Sequence, residues 1–240
     1  MIIHRYTKEE SNNIYFSSDF HAYQANICKG LSKWVDKDSA CRDFDTIEEM
    51  TNTIIKSIND TVGRKSILYH LGDWSFGGWE NIWNFRKQIK CENIFNIDGN
   101  HDYHIRKNKF FPHLENRDGM IFEIKDENDF IDKNDINNPR RVNASDFFVE
   151  TYCGTCKAGV DIEIDGQLIV LNHYPLKTWN GIENGSIHLH GHEHSRFITL
   201  ETGKWLDLDW NRFKRPISFS EVMEILNGRE IVLEGNNRSH

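Results

Sequence analysis

No stretch of this 240-residue chain approaches 18 consecutive apolar residues, so the sequence offers no membrane-spanning helix. The opening MIIHRYTKEES has no charged region leading into a long apolar core, which predicts a chain without a signal peptide and a cytoplasmic setting. Basic residues are in deficit: 29 Lys and Arg stand against 37 Asp and Glu, a net charge of −8. That balance argues against a protein that coats nucleic acid by charge alone and leaves such a role to local basic patches. The cysteines, Cys28, Cys41, Cys91, Cys153 and Cys156, are odd in number, and the chain is large enough to build a core without staples; both facts fit a reducing compartment. Cys153 and Cys156 form a C-x-x-C with no second such pair to complete a closed zinc site. They read as free thiols in a loop or hairpin, with a redox or zinc role as the alternative. Internal repeats, heptads and long low-complexity tracts are all missing.

What the chain does have is 38% apolar residues, 12% of all residues being aromatic, enough for a substantial core. Short β-rich runs recur, and each ends in a cluster of Asp, Asn, His or Gly: NIYFSSDFH (13–21), SILYHLGDW (66–74), NIFNIDGNHD (93–102), LIVLNHYP (168–175) and SIHLHGHEH (186–194). Between the first two, Thr46 and Glu49 form a capping box. Ile47, Met50, Ile54, Ile58 and Val62 follow at helical spacing, and Gly63 supplies a stop. A second helix is predicted over 79–90. The first 100 residues therefore read β-α-β-α-β, the pattern of a largely parallel α/β sheet. VDIEIDGQLIVLNH alternates and then turns at Asp165-Gly166, the signature of a tight hairpin. Residues 103 to 155 are polar and irregular and are expected to be an insertion with little regular structure in one domain spanning 1–240.

The strand ends deliver Asp19 and His21, Asp73, Asn100 and His101, His173, and His192 and His194. Carboxylate, amide and imidazole without thiolate suit Mn, Fe, Zn or Ni in an open catalytic geometry. Any one cluster has an ordinary explanation: an Asp-x-His is commonly a cap beside an exposed ring, and a Gly-Asp after a strand is commonly a turn. Five clusters placed where α/β sheets bind their ligands are hard to attribute to five separate accidents.

The order DFH, GD, GNHD, NH, GHEH resembles the five-motif signature of the calcineurin-like metallophosphoesterases and spans about three quarters of the chain, from residue 19 to 194. The match is nearest to small bacterial and phage-type members with the stretches SSDFHAYQANI, YHLGDWSFG and LDLDWNRFKRPISFSEV. The resemblance implies a four-layer α/β/β/α sandwich with two mixed β-sheets. It implies two divalent metal ions, manganese first with Fe, Zn or Ni as alternatives: one held by Asp19, His21 and His194, the other by Asn100, His173 and His192, with Asp73 bridging. His101 would be the catalytic histidine, oriented by Asp102. His188 and His190 match no ligand position; on one face of a strand, they are expected to be satisfied in the core or to support the ligands. Two cations about 3.5–4 Å apart would bind phosphate oxygens and ionise a water between them, and a protonated His101 would donate to the leaving oxygen.

Family members that act on phosphoproteins usually carry G-D-x-x-x-R-G, where this chain reads GDWSFGG, with Phe76 and Gly77 in the basic position and GNHD in place of GNHE. Both departures move the expectation to a phosphodiesterase acting on a small nucleotide or other phosphodiester. A nuclease acting on DNA or RNA is the alternative, followed by a phosphomonoesterase or protein phosphatase. A non-catalytic scaffold is disfavoured because every matched ligand position is filled. Trp74, Phe76 and Trp79 offer rings that either stack a base or pack. His104, Arg106, Lys107 and Lys109 are a solvated face or a phosphate-steering patch, Arg140-Arg141 a surface pair, and Tyr23 and Asn26 candidate pocket residues.

Overall fold

The computed structural model describes residues 2–35, 40–103, 105, 159–196 and 203–232, together with short strands at 114–117, 120–123, 142–143 and 150–152. The chain opens with β1 (Ile2–Tyr6) and the single turn α1 (Lys8–Ser11), then enters β2 (Ile14–Ser17). Helix α2 (Ile47–Thr61) starts at the predicted cap: Thr46 Oγ1 accepts the Glu49 N–H at 3.1 Å. The reciprocal half of the box shifts by one residue, since the Glu49 carboxylate takes the N–H of Asp45 at 3.4 Å. β3 (Ile67–His70), α3 (Trp79–Arg86) and β4 (Asn93–Ile97) follow.

β2, β3 and β4 are parallel and pair in register, with Ser17 opposite His70 and His70 opposite Asn96. Side chains alternate across this sheet. Leu68 and Ile94 pack under Ile54, Ile58 and Phe85 of the helices, whereas Phe16, Tyr69 and Ile97 face a second sheet. Full burial of each such aliphatic side chain contributes about 1.5–3 kcal/mol before the entropy of ordering is subtracted.

The region expected to be irregular holds more order than its composition signals. Among the described residues, β5 (Leu114–Arg117), β6 (Met120–Glu123) and β7 (Val142–Asn143) form an antiparallel sheet of their own, and β8 (Glu150–Tyr152) adds a parallel strand beside β4. Strands of two to four residues are too short to write a periodicity into the sequence.

The second sheet contains β9 (Val160–Ile164), β10 (Gln167–Leu171), β11 (Ile187–His190) and β12 (Trp205–Asp207), in the order β1-β9-β10-β11-β12. β9 and β10 form the expected hairpin, with positive φ at both Asp165 (50°) and Gly166 (79°), as a type I′ turn requires. The other pairs are parallel, so both large sheets are mixed, as expected. Ile187 and Leu189 face the inter-sheet core. His188 and His190 point the other way, their rings stacked 5.3 Å apart and buried, so the expectation that they serve the core holds. After the short helix α4 (Trp210–Phe213), β13 (Ile217–Ser218) closes the first sheet antiparallel to β2, and α5 (Phe219–Leu226) inserts Val222 and Leu226 into the inter-sheet core. The α5 start is a complete capping box, Ser218 with Glu221, which the S-x-x-E in the sequence signals. No helix of the described residues is long and apolar enough to cross a membrane.

Candidate metal centre

Because Ser17, His70 and Asn96 sit level across the first sheet, the loops that follow them leave at one height and bring Asp19, Asp73 and Asn100 together. The second sheet does the same. Leu171 is level with Leu189, and the chain then delivers His173 and His192; His190 is level with Asp207, which precedes Asp209. Backbone bonds tie each set together, Asp19 N–H to Gly72 O at 2.9 Å in the first and Gly191 N–H to His173 O at 3.0 Å in the second, and Ser18 N–H to Leu208 O at 3.1 Å stitches the two.

The backbone is strained where the donors sit. Asp19 (φ 55°), His21 (46°), Asp73 (60°), His192 (75°) and His194 (49°) all adopt the left-handed conformation that side chains other than glycine avoid, at about 1–2 kcal/mol each. The glycines beside them are there for space. A Cβ on Gly99 would lie 2.2 Å from Asp73 Oδ1, and one on Gly191 would lie 2.2 Å from Asp19 Oδ2. This is the physical content of the Gly in the GNHD and GHEH stretches.

One donor atom from each of Asp19, His21 and His194 lies within 4.8 Å of the other two, and the same holds for Asp19, Asp73 and His173. His21 Nε2 stands 3.5 Å from Asp19 Oδ1 and 3.4 Å from Asp73 Oδ2. Asp19 Oδ1 and both His21 nitrogens are buried without a hydrogen-bond partner among the described residues. Burial by itself would raise the Asp19 carboxyl, but its contact with His21 and the nearby His194 and His173 rings hold it well below the usual carboxylate range. Burial drives the His21 imidazole the same way, well below its ordinary value, so a neutral lone pair faces two carboxylates.

The second group is as tight. Asn100 Oδ1 is 2.8 Å from both His173 Nε2 and His192 Nδ1. His173 Nδ1 meets the Leu71 carbonyl at 2.8 Å, which places the proton of a neutral ring on Nδ1 and a lone pair on Nε2. Nε2 and the Asn100 oxygen then present lone pairs to each other, an arrangement satisfied by a shared cation. Oxygen and imidazole donors, orphaned or mutually opposed in a buried cleft, fit two divalent ions.

Behind the donors lies a network that sequence reading missed. Asp209 Oδ2 bonds His194 Nδ1 at 2.9 Å, leaving Nε2 for the centre. Burial works to lower the His194 imidazole, yet the Asp209 contact outweighs it and raises the ring. Asp209 Oδ1 accepts the N–H of Asn211 at 2.6 Å, and Asn211 Oδ1 accepts Arg42 Nε at 2.7 Å. The Arg42 guanidinium, 1% exposed, donates to the carbonyls of Phe20 and Asp19, both at 2.5 Å, and lies 5.1 Å over the Trp210 ring. Arg42 thus clamps the Asp19 turn to the loop that orients His194. The one sequence signal is the D-x-D of Asp207 and Asp209 just past an apolar strand. Nothing in the sequence around Arg42 points to it.

Asp102 departs from its expected part. Its carboxylate accepts three backbone N–H groups, from Gly99 and Asp73 at 2.8 Å and from Trp74 at 2.9 Å. It therefore positions the turns carrying Asp73 and His101, where an orientation of the His101 ring is expected. His101 is exposed at the mouth, its ring 5.6 Å from that of His21 and 4.9 Å from that of Phe76. Trp74 is a core residue against Phe20, His70 and Phe85 and offers no stacking face. Tyr23 also packs on the helical core, and Asn26 Oδ1 accepts the Lys33 N–H at 3.0 Å. The Trp79 side chain, His104, Arg106, Lys107, Lys109, Arg140, Arg141, Cys153 and Cys156 lie outside the described residues.

A cavity of about 310 Å³ opens over the donors and is lined by His21, Asp73, Asn100, His101, His192 and His194. A larger depression of about 710 Å³ between Asn59, Trp83 and Lys87 contains none of them, so size alone does not locate the chemistry.

These elements define a class: a two-sheet α/β protein whose strand ends gather carboxylate, amide and imidazole donors for metal. The sequence profile described as calcineurin-like phosphoesterase matches residues 13–209, and the chain belongs to that family. An uncharacterized protein of Methanocaldococcus jannaschii, MJ1445, is 36% identical over 91 residues, 37% of this chain and 46% of the relative. The match thus spans about half of that relative's length. The crystal structure of AQ665, a protein of unknown function from Aquifex aeolicus, superposes with a TM-score of 0.55 at 19% identity, covering 88% of this chain and 98% of that one, a likeness of fold.

Proposed function

We propose that this chain is a dinuclear metal-dependent phosphoesterase, a cytoplasmic phosphodiesterase acting on a small nucleotide or other small phosphodiester. Asp19, His21 and His194 hold one divalent ion and Asn100, His173 and His192 the other, Asp73 serves both, and manganese is the first candidate. The observation that carries the reading is the meeting of Asp19, Asp73 and His173 donor atoms within 4.8 Å, from three distant parts of the chain, next to the Asp19, His21, His194 group. Two such ions, when bound, would bind phosphate oxygens and lower the pKa of a water far below its bulk value, to about 7.

The chain's own residues do the rest. Asp73, held by Asp102, fixes the separation of the two donor groups. His101, at the mouth, delivers a proton to the leaving-group oxygen, typically ~10² to 10⁴-fold in rate. Gly77 stands where phosphoprotein-directed relatives are expected to carry a cation, and its neighbour Phe76 packs against the His101 ring, which supports a diester over a phosphoprotein. The test is turnover of bis-p-nitrophenyl phosphate by manganese-reconstituted protein, beside phosphomonoesters, cyclic nucleotides and oligonucleotides. Diester hydrolysis that exceeds monoester hydrolysis is expected; monoesters turned over faster would overturn the diester assignment, and inertness on the whole panel would overturn the enzyme.

A further inference from the structure

We propose that the cavity wall formed by Gln24, Ile27 and Trp34 seats a nucleobase, so that the substrate is a phosphodiester carrying a nucleoside on one ester arm. The proposal rests on the phosphodiesterase reading above and deepens it. The cavity that exposes the candidate metal ligands also includes these three side chains, with Glu193 and Arg196 at its mouth. Its volume of about 310 Å³ falls at the small end of ligand sites, which run about 300–1,000 Å³, and exceeds the need of a phosphate group alone.

Trp34 is the unusual member. Trp74 and Trp210 are both buried in the core between α2, α3 and the first sheet, but among the described residues Trp34 packs on neither hydrophobic core. It is half-buried, on a loop tied down at two points, its own N–H donating to Ser32 Oγ at 3.2 Å and the Lys33 N–H to Asn26 Oδ1 at 3.0 Å. A loop with these internal bonds, holding an indole in a polar cleft away from the core, provides a stacking face. Gln24 supplies the polar half. It is 6% exposed, and its amide oxygen has no hydrogen-bond partner among the described residues. A buried acceptor left unmet is costly, and the imino or amino N–H of a base would meet it.

The charges fit the same occupant. Glu193 and Arg196 bring one charge of each sign to the mouth, so this pair provides no net attraction for a second phosphate, and the wall of Gln24, Ile27 and Trp34 is neutral. A planar, uncharged ring with N–H groups matches it; a polyphosphate or a flexible alkyl headgroup does not.

The experiment compares thymidine 5′-(p-nitrophenyl) phosphate with methyl p-nitrophenyl phosphate, which share a leaving group and differ in the base. Manganese-loaded protein is expected to favour the nucleoside ester by at least about tenfold in kcat/KM. Trp34→Ala and Gln24→Ala are each expected to reduce that preference by about fivefold or more, chiefly through KM, and Trp34→Phe to restore part of it. Saturation-transfer NMR of thymidine 5′-monophosphate should show contact with the thymine ring that is lost in Trp34→Ala. Equal turnover of the two esters by the unaltered protein, or equal losses on both in the variants, overturns the subsite while the phosphodiesterase reading stands. If neither ester is turned over, that reading fails, and the NMR contact still decides the subsite.

Discussion

Asp73 and Asp102 grip each other's turns: the Asp73 N–H donates to Asp102 Oδ2 at 2.8 Å, and Asp73 Oδ1 accepts the N–H of His101, the neighbour of Asp102, at 2.8 Å. Two carboxylates from different strand ends thereby lock the GD and GNHD loops into one unit. Asp102→Ala would leave three buried N–H groups unmet, for a stability loss on the order of 3 kcal/mol. Urea unfolding should show the loss, with a parallel fall in metal content; an unchanged midpoint would remove Asp102 from this role.

Asp73 and Asp209 should separate in elemental analysis. Asp73→Asn is expected to abolish turnover and leave fewer than two metals per chain, since one carboxylate serves both donor groups. Asp209→Asn acts on one side only: its single amide oxygen cannot serve both the Asn211 N–H and His194 Nδ1, and an amide NH2 turned to the ring favours the tautomer protonated at the nitrogen needed for metal, weakening one ion by about 10–100-fold. Two firmly held metals in both variants would contradict the arrangement.

His101→Gln should keep both metals, since His101 belongs to neither donor group, and lose about 10²–10⁴ in kcat. Single-turnover rates on the manganese form check this. Wild-type rates would remove His101 from proton transfer.

His188 predicts a pH dependence of stability unrelated to catalysis. Its Nδ1 meets the Val170 carbonyl at 3.0 Å and its Nε2 accepts the Leu176 N–H at 2.9 Å, so the buried ring is neutral, and burial pushes its pKa down to about 3. The unfolded ring titrates near 6.5. Between those values the unfolded chain binds more protons, so this contribution is complete above about pH 6.5 and declines at about 1.4 kcal/mol per unit as pH falls towards 3. In His188→Gln, unfolding free energies measured from about pH 4 to 6 should show a slope reduced by about that amount; an identical slope would mean the ring is already charged in the fold.

The chain's local order settled much of this protein. Donor types, the β-α-β-α-β beginning, the α2 face of Met50, Ile54 and Ile58, the Asp165-Gly166 turn and the order of five polar clusters are all readable, because each depends on residues a few positions apart. The strands at 114–152, the core position of Trp74, the backbone task of Asp102, and the Arg42, Asn211, Asp209 chain behind His194 were decided by tertiary structure. Arg42 reaches Asn211 across 169 positions and His192 reaches Asp19 across 173. Such meetings are set by strand register and by which face of a sheet is buried. A linear pattern names the groups that can meet; only the closed pair of sheets fixes which ones do.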